Sequence, residues 1–189
     1  MDKKRGEHLL QEKFGTIKKA AAFYDKQLLD ALNDVMKWFI SEREMMFIST
    51  ADGRGNCDSS FRAGGRGFVR VINEKTLIYP EYRGNGVMAS LGNIVENPHI
   101  GLLFIGFEEN QIGLHVNGKA SILEKHELST LDISDEAIST MEEEEGRKAE
   151  RWVVIEVEEA YIHCSKHIPK LQKVKKEKTS GGDYFKVKQ

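Results

Sequence analysis

Apolar residues recur at spacings of three and four through Leu28, Leu29, Leu32, Val35, Met36, Phe39 and Ile40. That period predicts one amphipathic helix with a face turned toward an apolar partner. Asp25 stands where an N-cap belongs, no Pro or Gly interrupts the stripe, and it runs out at Ser41-Glu42-Arg43. Trp38, Phe39, Phe47 and Phe68 read as core.

From Met45 the pattern shortens. Met45 to Ala51 is an apolar, β-favouring run that stops at Asp52-Gly53-Arg54-Gly55-Asn56, residues that accept tight-turn backbone geometry. Cys57 to Ala63, Gly67 to Ile72 and Thr76 to Tyr79 follow closely, and their spacing predicts an antiparallel meander. Val87 to Val95 reads as a helix that ends at Asn97-Pro98, since a residue before Pro is pushed out of helical geometry. Ile100 to Ile105 reads as a buried strand. Ile112 to Val116 alternates strictly, and the alternation resumes at Ala120 after Gly118, a candidate bulge. Trp152 to Val157 is a further strand, with Tyr161-Ile162-His163 close behind. Seven or so short strands with few helices predict an antiparallel barrel, which removes sheet edges, with helices at its periphery.

Composition narrows the class. At 189 residues, 40% hydrophobic and 31% charged, the chain is an ordinary globular protein of one domain, or one domain with an appendage. Lys plus Arg is 28 against 30 for Asp plus Glu, so the basic excess expected of a nucleic-acid binder is absent. No apolar run approaches a membrane span of roughly 20 residues, and the charged first residues lead into no apolar signal segment. Cys57 and Cys164 form no CxxC pair. A cytoplasmic protein with reduced thiols is expected. Charge is uneven along the chain: Glu124 to Glu150 holds ten acids against three bases, which predicts a solvated connection, and eight lysines follow Ser165. Ser180-Gly181-Gly182 reads as a hinge before the aromatic pair Tyr184-Phe185.

Two segments suit an anion. Ser59-Ser60-Phe61-Arg62-Ala63-Gly64-Gly65-Arg66-Gly67 offers close backbone approach and two guanidinium groups, or else is simply a glycine-rich hairpin with solvated arginines. Tyr79-Pro80-Glu81-Tyr82-Arg83-Gly84-Asn85-Gly86 leads directly into a helix, whose first N–H groups and positive dipole end favour a phosphate. If the two face each other, they fit one phosphorylated, planar ligand. His163-Cys164-Ser165-Lys166-His167 packs reactive residue types together, but a strand would split them between its faces.

Taken jointly, these residues resemble the pyridoxamine 5′-phosphate oxidase-like split-barrel family. The resemblance is carried by Met46 to Asn56, Gly67 to Ile72, Thr76 to Glu81, Gly84-Asn85, Ser90 to Pro98, Ile100 to Phe104, Val116 to Ala120 and Ala160 to Pro169. It implies a mainly β (α+β) fold: a six-stranded antiparallel Greek-key split barrel spanning 45–170, with a helical segment at 1–44 and a lysine-rich tail at 171–189. It also implies a homodimer with FMN sites at the subunit interface and a small-molecule substrate or electron donor, with neither nucleic acid nor membrane as partner. Carried over by position, Arg62 is the second-strand arginine, flanked by Ala63 and Gly64. Asn85, Ser90 and Asn93 belong to the phosphate-binding turn and helix. Tyr79 and Pro80 line the flavin, and His163 and Lys166 reach toward the partner's flavin. No catalytic residue is identified. Related barrels carry a deazaflavin or haem instead, or bind a cofactor without turnover; for haem, His115, His163 and His167 are the axial candidates. The Ser-Arg-Lys cluster of the true oxidases is replaced here by Val87-Met88-Ala89-Ser90, and their Arg-x-His motif has no clear match. The resemblance therefore implies the fold and a flavin rather than that substrate.

Overall fold

The computed structural model describes residues 6–84, 86–108 and 111–174. Three helices lead the chain: α1 (Gly6–Phe14), α2 (Ile17–Lys26) and α3 (Asp34–Ser41). The single helix expected through Leu28 to Ile40 is not formed. Its first half is extended, because Leu29 makes a two-bond β-bridge to Ala160 (2.8 and 2.9 Å). The helix restarts at Asn33, whose side chain accepts from the Met36 N–H at 2.9 Å, so Asn33 and not Asp25 is the cap. Both segments bury apolar side chains, so the three-four spacing persists across the break. Phe39 and Ile40 are core, whereas Trp38 is 57% exposed, against its expected burial.

Seven strands form one antiparallel sheet: β1 (Met45–Ala51), β2 (Cys57–Ala63), β3 (Arg70–Asn73), β4 (Thr76–Tyr82), β5 (His99–Gly106), β6 (Ile112–Leu123) and β7 (Ala149–His163). Their order is β2-β1-β5-β6-β7-β4-β3. The first four strands are therefore two hairpins at opposite ends of the sheet, not a meander. The link between them, 64–69, sends Phe68 and Val69 fully buried into the core. The β1–β2 turn follows the predicted chemistry. The Asp52 carboxylate accepts from the Arg54 and Asn56 N–H groups and from the Asn56 amide, which lowers its pKa, and Gly55 takes φ +87°.

Alternation sets the two faces. Met46, Ile48 and Thr50 of β1 point inward while Phe47 and Ser49 stay exposed. One core unites Met46 and Ile48 of β1 with Leu77 and Tyr79 of β4, Leu102 and Phe104 of β5, and Val153 and Ile155 of β7. Residues from both ends of the sheet share that core, so the sheet curls into a barrel. Its seam, between β2 and β4, is closed by side chains instead of a backbone ladder: the Arg62 guanidinium donates to the Glu81 carboxylate at 2.9 Å. This is the split barrel expected from the sequence, with seven strands where six were implied.

β7 is continuous through both of its predicted pieces. Opposite Gly118 its register with β6 shifts by one residue, the bulge predicted there. A helix α4 (Ala89–Glu96) docks on β1 and stops at Asn97-Pro98 as expected. The acidic segment is not a solvated connection. It folds into α5 (Asp135–Glu145) and shorter turns that cover the outer face of β4 and β7, where Leu128, Met141, Ile78 and Trp152 form a second core. Buried Glu145 accepts from the Tyr82 hydroxyl at 2.6 Å, while Arg70 pairs with Glu144 at 2.5 Å. No helix among the described residues is long and apolar enough to cross a membrane. The Ser180-Gly181-Gly182 hinge and the Tyr184-Phe185 tip lie outside the described residues.

Candidate functional site

The two anion-suited segments do face each other. A cleft of about 710 Å³ lies between β2 and the turn joining β4 to α4, lined by Asp58, Ser60 and Arg62 on one side and by Glu81, Arg83, Met88, Ala89 and Ser90 on the other. On β2 the inward positions are Asp58, Ser60 and Arg62, alternating with exposed Cys57, Ser59 and Phe61. The edge strand thus turns a wholly polar row toward the seam.

Arg62 is the centre of this row. Besides Glu81, its Nη1 donates to the Ser60 hydroxyl (2.7 Å) and to the Phe61 carbonyl (3.1 Å). Across the cleft α4 begins at Met88, which sits in the left-handed region at φ 55° and supplies no side-chain acceptor to the helix start. The first N–H groups of a helix need external acceptors, so a start that Met88 leaves without a side-chain cap, on a cleft wall, offers donors and a positive dipole end to an anion. The Ser90 hydroxyl donates to Asp58 at 3.0 Å and so ties α4 to β2. Arg151 and Glu150 of β7 complete the rim, 3.5 Å apart. The cleft holds three guanidinium groups and three carboxylates.

The other predicted residues are dispersed. Ala63 and Gly64 lie one step further along, in an adjacent cavity of about 530 Å³ with Arg70, Tyr82 and Glu145. Tyr79 is fully buried within the barrel and Pro80 is buried beside it. The Tyr79 hydroxyl has no hydrogen-bond partner among the described residues, and burial together with the Glu81 charge holds its pKa far above the usual value. Asn93 turns away from the cleft and donates to the Thr50 hydroxyl at 3.0 Å. Asn85 lies outside the described residues. His163 ends β7 opposite Gly113, while Arg151, which lines the cleft, is near the start of the same strand. Neither His163 nor the neighbouring Lys166 lines the cleft of its own chain.

His163 has a different setting. Its Nδ1 lies 2.9 Å from His115 Nε2, and the His115 ring stacks on Tyr161 at 4.7 Å. Burial and the facing His163 lower the His115 pKa from its usual 6.5. These rings lie on the outer face of the sheet. There Phe61, Phe47, Leu103, His115 and Tyr161 are consecutive cross-strand neighbours on β2, β1, β5, β6 and β7. Phe61 is 53% exposed and Phe47 37%. His167 lies in the exposed turn after β7.

Arg83, the arginine of the predicted anion-suited turn, does line the cleft, whereas Asp58, Glu81 and Arg151 were not singled out from the sequence. The signal for Glu81 was the period-two row Leu77, Tyr79, Glu81 on β4, which places a carboxylate at the end of an inward-facing series.

The pyridoxamine 5′-phosphate oxidase family model matches residues 32–164. The chain belongs to the pyridoxamine 5′-phosphate oxidase family. Its match spans every strand and the cleft. Among solved structures, HupZ of Group A Streptococcus superposes with TM-score 0.51 at 22% identity, over 69% of this chain and 93% of that one. A pyridoxamine 5′-phosphate oxidase homologue from Lactobacillus delbrueckii gives TM-score 0.50 at 17% identity, over 71% and 98%. An FMN-binding protein from Syntrophomonas wolfei gives 0.46 at 12% identity, over 82% and 95%. A search of curated proteins returns no match. At their identities HupZ and the Lactobacillus protein show a shared fold alone.

Proposed function

We propose that this family member binds FMN in the cleft between β2 and α4 and works as a flavin-dependent oxidoreductase. The observation that carries the reading is the convergence, across the barrel seam, of the Arg62 guanidinium, the Ser60 and Ser90 hydroxyls and the uncapped start of α4. A charged fork, hydroxyls and a helix start form a donor set suited to a phosphate monoester. The residues fit that group: Arg62, Ser60 and Ser90 would hold the phosphate, with N–H groups at the start of α4. When bound, FMN supplies hydride or electron transfer, and the protein's part is to orient it and restrict water.

A homodimer is part of the proposal. The outer row of Phe61, Phe47, Leu103, His115 and Tyr161 is an apolar, aromatic face of the kind that partner surfaces cover. A second copy on that face would also let His163 and Lys166, which do not line their own cleft, approach a partner's flavin. The substrate or electron donor is a small molecule entering beside the cofactor.

The test is the visible absorption spectrum of the freshly purified protein, with mass spectrometry of what heat denaturation releases. The flavin double band with released FMN supports the reading. A Soret band assigns haem instead and turns attention to His115 and His163. A colourless protein that also fails to take up added FMN overturns it.

A further inference from the structure

The cleft contains its own competitor for the phosphate. Of its three guanidinium groups, Arg83 is 86% exposed, and the Arg62 and Glu81 side chains are each only 16% exposed. Arg62 is thus the sheltered cation, and Glu81 holds its Nε at 2.9 Å. With three carboxylates against three guanidinium groups, the cleft has no net positive charge to offer a dianion. The donors suit phosphate, but the strongest of them is already taken by a carboxylate from the opposite strand.

We propose that Glu81 is an internal counter-anion that sets the affinity and phosphate selectivity of the site. Resting on the flavin-phosphate reading of the cleft, this assigns Glu81 a role as a positioning residue acting through Arg62. With no ligand, Glu81 closes the β2–β4 seam and spares Arg62 from lying unpaired and part-buried, which is costly. A phosphate entering between Ser60, Ser90 and the start of α4 takes over the Arg62 fork and releases Glu81 toward the cleft mouth. Binding strength is then the difference between two anions competing for one guanidinium. A ligand lacking the phosphate leaves the Arg62–Glu81 pair intact and is unaffected by it. The seam pair therefore links cofactor binding to opening of the barrel's side.

The experiment compares FMN and riboflavin binding by flavin fluorescence titration for the parent protein, Glu81→Gln, and the Arg62→Gln and Arg62→Gln/Glu81→Gln variants. Glu81→Gln keeps the side chain's size and removes its charge. It is expected to bind FMN about tenfold tighter, equivalent to about 1.4 kcal/mol, with riboflavin affinity changed less than about twofold. In the Arg62→Gln background the same substitution gives no gain, because the competition it relieves has gone. Glu81→Ala, checked by circular dichroism, repeats the test should the Gln variant fold poorly. If the parent binds FMN and both Glu81 variants bind it equally or more weakly, Glu81 is only a seam strut; the inference falls and the flavin reading stands. An equal gain for riboflavin also overturns it, since the effect would not concern the phosphate. If no variant and not the parent binds either flavin, the cofactor reading itself fails and this inference with it.

Discussion

Adding one methyl group at Gly118 tests the register on which the barrel is built. A Cβ there would lie 2.0 Å from the Glu156 carbonyl oxygen, 2.9 Å from its carbon and 3.2 Å from the Val157 Cα, all backbone atoms. Real Cβ atoms do not approach so closely, so β6 and β7 must separate by more than about 1 Å at the bulge. These strands carry the longest pairing in the sheet, from Gly113–His163 to Leu123–Trp152. Overpacking costs about 1–3 kcal/mol in general, and a clash with backbone, which cannot rotate away, belongs at the upper end. For a chain of this length about 3 kcal/mol corresponds to a Tm lowered by roughly 6–12 °C. Two internal comparisons remove generic effects of glycine replacement. At Gly101 the added atom meets the Asn117 side chain at 3.2 Å and Ser49 at 3.9 Å, a contact that a small rotation relieves. At Gly92, inside α4, nothing lies within 4 Å, and Ala is expected to stabilise by about 0.5–1 kcal/mol. The assay is thermal unfolding followed by circular dichroism. The order of stability should be Gly92→Ala above parent, Gly101→Ala close to parent, and Gly118→Ala far below. A Gly118→Ala protein melting within about 2 °C of the parent, well inside the shift worked above, would refute the register shift at the bulge.

Three further outcomes follow from the packing. Tyr79→Phe deletes a buried hydroxyl with no partner among the described residues, so it should leave Tm unchanged or raise it and leave flavin binding intact; a clear loss of either in a melt and titration would show that the hydroxyl is used. Tyr82→Phe removes the 2.6 Å donor to buried Glu145 and should cost about 1.5–3 kcal/mol in urea unfolding, whereas a loss under about 0.5 kcal/mol would mean that α5 is held by its apolar contacts alone. His115 has a folded pKa below its usual 6.5, so the unfolded chain takes up a proton first on acidification. The stability this contributes is complete above pH 6.5 and is lost as pH falls through the lowered value; His115→Gln should flatten that part of the stability–pH curve, and an unchanged slope would contradict the assignment.

Much of the barrel was legible in the chain because local chemistry and global fold agree there. Asp52 to Asn56 is a turn by composition and is a turn in the structure, Asn97-Pro98 stops α4, and Gly118 marks the bulge. The failures share a cause: each rests on a contact distant in sequence. Leu28 to Ile40 keeps a helical period through a break imposed by Ala160, Val35 of that stripe faces solvent, and so does Trp38 beside it. A meander pairs strands by sequence proximity alone, whereas Phe68 and Val69 enter the core between the two hairpins and the strand order follows contacts distant in sequence. The acidic run between Glu124 and Glu150 hides Leu128 and Met141, whose partners Ile78 and Trp152 lie on β4 and β7. In the site, Arg62 and Ser90 were legible from their segments, but the cleft that joins them is not. The role of Glu81 appears only when the seam brings β4 within 2.9 Å of Arg62.

The central claim is a flavin phosphate seat at that seam, and its most direct test is titration of the purified protein with FMN, followed by flavin fluorescence in the parent and in Arg62→Gln. The account predicts saturable binding to the parent and a loss of at least about tenfold when the sheltered guanidinium is removed, about 1.4 kcal/mol. Binding of FMN unaffected by Arg62→Gln, or no binding by the parent, would contradict it.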